Sequence, residues 1–184
     1  LAVVLSDAYV TLIDLTNAGR SEITVRLTLP EDTRAIRPSQ VLFDTEAAAL
    51  YVRADASDDI YVLRLNPVTP ASPTDNDFRP TINQLAAGRG PSDMALIGAA
   101  DARRLLVVSP GSRDARFINA VANTTVTIPL EAAANRILLF TGTSPRDANA
   151  TLRALLYPTR GLSTAVSFLE LADLENRRAQ NVET

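Results

Sequence analysis

One eight-residue pattern returns four times along the chain, and it restricts the fold more than any other feature. Val10-Thr-Leu-Ile-Asp14-Leu-Thr-Asn17 matches Val166-Ser-Phe-Leu-Glu170-Leu-Ala-Asp173 in chemical type at every position. Ile60-Tyr-Val-Leu-Arg64-Leu-Asn-Pro67 keeps the same apolar positions, and Ala115-Arg-Phe-Ile-Asn119-Ala-Val-Ala122 is the most altered copy. The polar residue inside the run falls at Asp14, Arg64, Asn119 and Glu170, at intervals of 50, 55 and 51 residues. A second mark keeps the same register: Tyr51-Val52 precedes Arg64 as Leu106-Val107 precedes Asn119. Pro38-Ser39 and Pro91-Ser92 open two of the units.

Each copy sits among other short β-prone runs bounded by turn residues. In the first unit these are Val3–Leu5, Tyr9–Leu15 and the alternating Ile23–Leu29, followed by a polar connection from Pro30 to Arg37. The second unit gives Val41–Phe43, Leu50–Arg53, Ile60–Leu65 and Thr81–Leu85. The proline-rich insertion Asn66–Phe78 displaces its last run. The third gives Met94–Ile97, Leu105–Val108, Arg116–Val121 and Thr125–Ile128. The fourth gives Ile137–Phe140, Leu152–Tyr157, Val166–Leu171 and a short run after Asn181. Glu170–Arg178, ELADLENRR, also carries helix-forming residues.

Four short strands per unit, at a period of roughly 40–50 residues, is the signature of β-propeller blades. A single four-stranded sheet cannot bury both apolar faces, whereas sheets stacked face to face around an axis bury them and leave only short edges. The expected fold is therefore all-β, a propeller of four-stranded antiparallel blades spanning 1–35, 36–89, 90–134 and 135–184. The first runs of the later units, Val41–Phe43, Met94–Ile97 and Ile137–Phe140, are continuously apolar, as strands lining a crowded centre should be.

The unit Pro38–Asn66 resembles a YVTN-type β-propeller repeat on Pro38, Tyr51-Val52 and the Asp58-Asp59 turn, with Leu12-Ile13-Asp14 supplying the remaining mark in the first unit. It departs from that pattern at Asp44-Thr-Glu-Ala-Ala48, where a Pro-Asp-Gly turn is usual, and at Arg53-Ala54-Asp55, which replaces Val-Ala-Asn. Such propellers usually close with about seven blades, so the resemblance implies an open arc or partial propeller in preference to a closed four-bladed ring. The exposed faces of a four-blade arc would need remaining blades of the same polypeptide or a protein partner. The resemblance also implies an extracytoplasmic protein, at the periplasm or cell surface, and the composition looks bacterial. Leu1 falls inside an apolar run without an initiator Met, which fits a cleaved signal or a trimmed longer polypeptide, and a start in mid-strand favours the second.

Composition narrows the chemistry. There is no His and no Cys, which removes the commonest general base, the commonest metal ligand and any thiol nucleophile. All 18 basic residues are Arg, and the net charge is −3 with both signs interspersed, so no basic face for nucleic acid is expected. The Arg-only, Ala-rich usage fits the codon bias of a GC-rich genome. No apolar run is long enough to form a transmembrane segment.

The remaining candidates are binding residues. Asp55, Asp58 and Asp59 share one turn, but no calcium-loop spacing or sharp-turn Gly accompanies them, so they read as a solvated turn. Arg37 and Arg89 occupy equivalent loops ahead of innermost strands and offer bidentate donors to an anionic ligand. Asp75, Asn76, Asp77 and Phe78, at the end of the insertion, are the candidate partner-contact loop. Gly88-Arg-Gly90 lacks the Lys-Ser/Thr and helix of a phosphate loop, and Ser109 and Ser112 have no His to activate them. The sequons at Asn123 and Asn149 read as turns. No catalytic residue, metal or cofactor is expected. The chain is read as a non-catalytic propeller module that scaffolds or binds protein. The alternative is a part of a lactonase-like propeller hydrolase whose catalytic residues lie outside this chain.

Overall fold

The computed structural model describes residues 1–17, 19–28, 36–99, 102–144, 147–159, 165–171 and 180–183. They divide into two compact units, Leu1–Leu85 and Ala86–Thr184. Among the described residues the chain is all β, and each sheet is an antiparallel meander whose strands follow one another in chain order.

The first unit holds two sheets. Sheet I consists of β1 (Ala2–Leu5), β2 (Tyr9–Ile13) and β3 (Ile23–Arg26). Sheet II consists of β4 (Pro38–Asp44), β5 (Ala49–Ala54), β6 (Asp59–Pro67) and β7 (Phe78–Ala86). Alternation along sheet I sends Val10 and Leu12 inward, with Val3, Leu5, Ile23 and Val25 beside them. They pack in one cluster with Leu50, Val52, Ala54, Tyr61 and Leu63 of sheet II. Burying each such Leu or Val contributes about 1.5–3 kcal/mol. The Tyr61 ring is fully buried, and its hydroxyl donates to the Thr28 carbonyl at 2.9 Å. That burial raises the phenol pKa above its ordinary value.

The second unit repeats the arrangement. Sheet III consists of β8 (Asp93–Ile97), β9 (Arg104–Ser109), β10 (Asp114–Asn119) and β11 (Thr124–Pro129). Sheet IV consists of β12 (Arg136–Ser144), β13 (Asp147–Tyr157), β14 (Ala165–Glu170) and β15 (Gln180–Glu183). Its core gathers Leu106, Val108, Phe117 and Ile128 of sheet III with Ala154, Leu156 and Leu169 of sheet IV. Equivalent residues of the repeat oppose one another in all four sheets, as Val3↔Leu12, Tyr51↔Val62, Leu106↔Phe117 and Leu155↔Phe168.

Polar marks of the repeat serve the hairpins. Asp44 Oδ1 accepts the amides of Glu46 and Ala47, and Asn119 Oδ1 accepts those of Val121 and Ala122. In three hairpins the residue just before the returning strand has a left-handed backbone: Ala48 (φ 45), Arg113 (φ 53) and Asn123 (φ 52). This is the position a Pro-Asp-Gly turn fills with glycine, so the sequence departure at Ala48 leaves the geometry intact and places a side chain where glycine is favoured.

Three expectations change. Burial is greatest in the central strands β5, β6, β9 and β10 rather than in the first strands, because a central strand has neighbours along both edges as well as across its faces. Phe43 in β4 and Leu138 in β12 stay exposed. Asn149 lies within β13, not in a turn, whereas Asn123 does occupy one. The insertion is shorter than its composition indicates, since β6 runs through Pro67 and β7 starts at Phe78. In the ambiguous segment from Glu170, that residue ends β14, while 172–179 fall outside the described residues.

Candidate functional site

The candidate partner loop is held from within its own unit. Asp14 at the end of β2 accepts the Thr16 hydroxyl at 2.6 Å and the Thr16 amide at 2.8 Å through Oδ1. Its Oδ2 pairs with Arg20 at 2.7 Å. These donors, Thr16 foremost and then Arg20, lower the Asp14 pKa from 3.8 to about 2. The same Arg20 nitrogen reaches Asp77 at 2.9 Å, and that carboxylate raises the guanidinium pKa most. Asn76 Nδ2 donates to the Ser21 carbonyl at 2.6 Å, and the Ser21 amide donates to the Thr74 carbonyl at 3.1 Å. Phe78 packs at the margin of the apolar cluster. Asn76, Asp77 and Phe78 therefore latch the insertion onto the β2–β3 turn, while Pro67–Ala71 and Asp75 stand exposed. Arg20, the cation that completes this latch, was not singled out by sequence; its signal is an Arg three residues beyond a turn Asn.

Arg37 belongs to the first unit and Arg89 to the second. Both are exposed, and among the described residues neither guanidinium is in an ion pair. Their backbones are fixed: the Arg37 carbonyl accepts the Asp55 amide at 2.7 Å. The Arg89 amide donates to Ser112 Oγ at 3.0 Å, and its carbonyl accepts the Gly111 amide at 3.1 Å. Gly88 makes that second loop feasible. It has φ +92, and a Cβ there would lie 2.7 Å from Ser112 Oγ and 2.8 Å from Asp114 Oδ1. The buried Asp114 carboxylate faces this glycine and pairs with Arg116 at 3.1 Å through its other oxygen. Ser109, buried, donates to the Ala87 carbonyl at 2.5 Å. Ser109 and Ser112 thus join loops.

In the acidic turn Asp55 pairs with Arg53 at 3.6 Å, and the Asp59 amide donates to Ser57 Oγ. Among the described residues no three Asp or Glu side chains come together as a metal site. The sequence reading also passed over Asp93. Its Oδ2 accepts the Ile137 amide at 2.9 Å, joining the first strands of sheets III and IV, and Ser92 donates to the Asn135 carbonyl at 3.1 Å. The signal for it is a carboxylate directly after the Pro-Ser that opens the unit.

No protein-family model matches the chain, and no curated protein matches it by sequence. Several solved structures resemble it, among them the following two. The dihydro-heme d1 dehydrogenase NirN, in complex with DHE, superposes with a TM-score of 0.65 at 17% identity, over 99% of this chain and 36% of that one. The hydrazine synthase of Kuenenia stuttgartiensis gives 0.56 at 18% identity, over 95% of this chain and 42% of that one. The chain thus spans less than half the length of either. Both are β-propeller proteins, and no helix of the described residues is long and apolar enough to cross a membrane. This is an all-β chain of the β-propeller fold class, built from antiparallel sheets of up to four strands.

Proposed function

We propose that this chain is a non-catalytic propeller module that binds a protein partner or serves as a structural scaffold. The observation that supports it is how the loop carboxylates are used. Asp14, Asp77, Asp93 and Asp114 each spend a carboxylate oxygen on a turn, a guanidinium or a neighbouring strand, which leaves the fold tied and supplies no paired acid and base. What remains on the surface is suited to contact: Arg37, Arg89, Asp75 and the crest of the insertion. The YVTN-type repeat and the extracytoplasmic location belong to this proposal and rest on the repeat marks at Pro38 and Tyr51-Val52, and the bacterial origin rests on the Arg-only, Ala-rich composition.

A second reading is the propeller portion of an enzyme, lactonase-like or otherwise, whose catalytic residues lie outside this chain. Both structural neighbours carry the names of enzymes, a dehydrogenase and a synthase, which is what supports it. A thermal-shift screen with calcium, sugar phosphates and lactones, paired with a lactone-hydrolysis assay, separates the two. A flat screen without turnover is the scaffold outcome. A saturable shift of the isolated chain by one of these ligands overturns it, since the enzyme reading puts ligand contacts here and the catalytic residues outside the chain.

A further inference from the structure

Two arginines of the second unit stand on adjoining loops with no ion-pair partner among the described residues. Arg89 lies in the loop ahead of β8, and Arg113 closes the turn between β9 and β10. The loops meet at one end of sheet III: the Gly111 amide donates to the Arg89 carbonyl at 3.1 Å, and the Arg89 amide donates to Ser112 Oγ at 3.0 Å. A Cβ at Gly111 would lie 2.8 Å from Arg89 Cγ, so the Arg89 stem crosses that glycine, two residues before Arg113. Both arginines are exposed.

Nearby carboxylates do not supply the missing charge. Asp114 is buried and gives its Oδ2 to Arg116 at 3.1 Å. Glu131 is exposed just past the Leu130 whose amide donates to the Arg113 carbonyl, yet it pairs with neither arginine. Sheet II shows the contrast. Its β5–β6 turn adjoins the Arg37 loop through the Asp55 amide and the Arg37 carbonyl. In the register that sets Tyr51↔Val62 against Leu106↔Phe117, Asp58 stands where sheet III has Arg113. The turn beside Arg37 thus carries the opposite charge, and the turn beside Arg89 a like charge, which an anion between the two would neutralise.

We propose that this end of sheet III docks an acidic segment of a protein partner, whose carboxylates pair with Arg89 and Arg113. Each guanidinium offers two parallel donors to a carboxylate, and Arg is enriched among the residues that carry binding energy in protein interfaces. The guanidiniums stem from separate loops, which suits carboxylates spaced along a chain. Nothing lies within 4 Å of where a Gly90 Cβ would stand, so the approach over the Arg89 loop is open. The inference rests on reading the chain as a partner-binding module and names the chemistry of the partner.

An NMR titration of the isotope-labelled chain with hexaglutamate, at a constant ionic strength of about 50 mM and with hexaglutamine as the uncharged control, tests it. The expected result is a saturable shift of the Gly90, Gly111 and Ser112 amides by hexaglutamate alone, weakening as salt rises. Arg113→Gly removes the guanidinium at φ 53, a backbone region that glycine favours, so the turn keeps its geometry. That variant and Arg89→Gln should each weaken binding about two- to fivefold, the range of an exposed ion pair, and the double variant should not saturate. Arg79→Gln, which removes an exposed charge from β7, should bind as the wild type does. No shift of these amides at about 5 mM hexaglutamate overturns the proposal. So does equal weakening by Arg79→Gln, unchanged binding by the double variant, or tighter binding of inorganic phosphate than of hexaglutamate. Calcium, sugar phosphates and lactones probe the scaffold reading without an acidic peptide, so the site and that reading fail separately.

Discussion

Replacing Ala48 by Gly should make this protein more stable, against the usual direction of an Ala-to-Gly change. Ala48 holds φ 45 in the turn between β4 and β5, a region that costs an L-residue with a Cβ roughly 1–2 kcal/mol. Glycine removes that cost but adds freedom to the unfolded chain, worth about 0.5–1 kcal/mol in the opposite sense. The methyl group is exposed, so no burial is lost, and the Leu65 amide keeps its 2.8 Å bond to the residue 48 carbonyl. The net gain is about 0.5–1 kcal/mol, or roughly 1–4 °C in Tm for a chain of this size. Ala56, at φ 61 and also exposed, sits beyond the other end of β5. The double variant should therefore gain about 1–2 kcal/mol by near-additivity. The control is Ala47→Gly in the same turn at an ordinary φ, which should lose about 0.5–1 kcal/mol. Urea unfolding at matched m-values reads all four proteins. If Ala48→Gly is destabilised as much as Ala47→Gly, the left-handed backbone is not what governs this turn.

Three further outcomes follow from the same geometry. The Asp14 carboxylate has a folded pKa of about 2 against 3.8, so its contribution is complete above about pH 4 and is lost as pH falls toward 2. Carboxyl NMR should place its midpoint at the low value in the wild type and higher in Arg20→Ala, and the Ser21 amide should then exchange faster. Tyr61→Phe should cost about 1–3 kcal/mol by leaving the Thr28 carbonyl without its hydroxyl; a neutral result by chemical denaturation would show that water replaces the bond. Gly88→Ala should cost more than about 2 kcal/mol, since backbone φ +92 and three contacts under 3.0 Å oppose a methyl group at once. Wild-type stability in that variant would show that the Ser112–Asp114 loop gives way.

Strand positions were legible in the sequence because alternation and β-branching carry them. Ile60–Leu65 falls within β6, while the run read as Ile23–Leu29 ends as a strand at Arg26. Burial along the first strands was not legible, because apolar character at Phe43 or Leu138 says only what a residue prefers, not whether a neighbouring sheet lies over it. The insertion misled for a related reason. Its prolines and aspartates mark a loop, but the Arg20 that clamps it lies more than fifty residues earlier, and no local pattern links the two. Asp93 was missed because a single carboxylate after Pro-Ser carries no spacing signal until its partner, the Ile137 amide, is brought beside it by the tertiary fold.

The chain-order meander bears on how the molecule assembles. Every strand pairs with its sequence neighbour, so each sheet forms from hairpins closing over short distances, the fast kind of contact. The ties that bring sheet I onto sheet II are different. Ser21 to Thr74, Asn76 to Ser21, Arg20 to Asp77 and Tyr61 to Thr28 all close long loops. They should form after the folding barrier is crossed, when the two sheets dock. Weakening the latch at Arg20 should then leave the refolding rate nearly unchanged and appear almost wholly as faster unfolding. In this protein the proline-rich insertion would set how long the first unit stays folded rather than how quickly it folds.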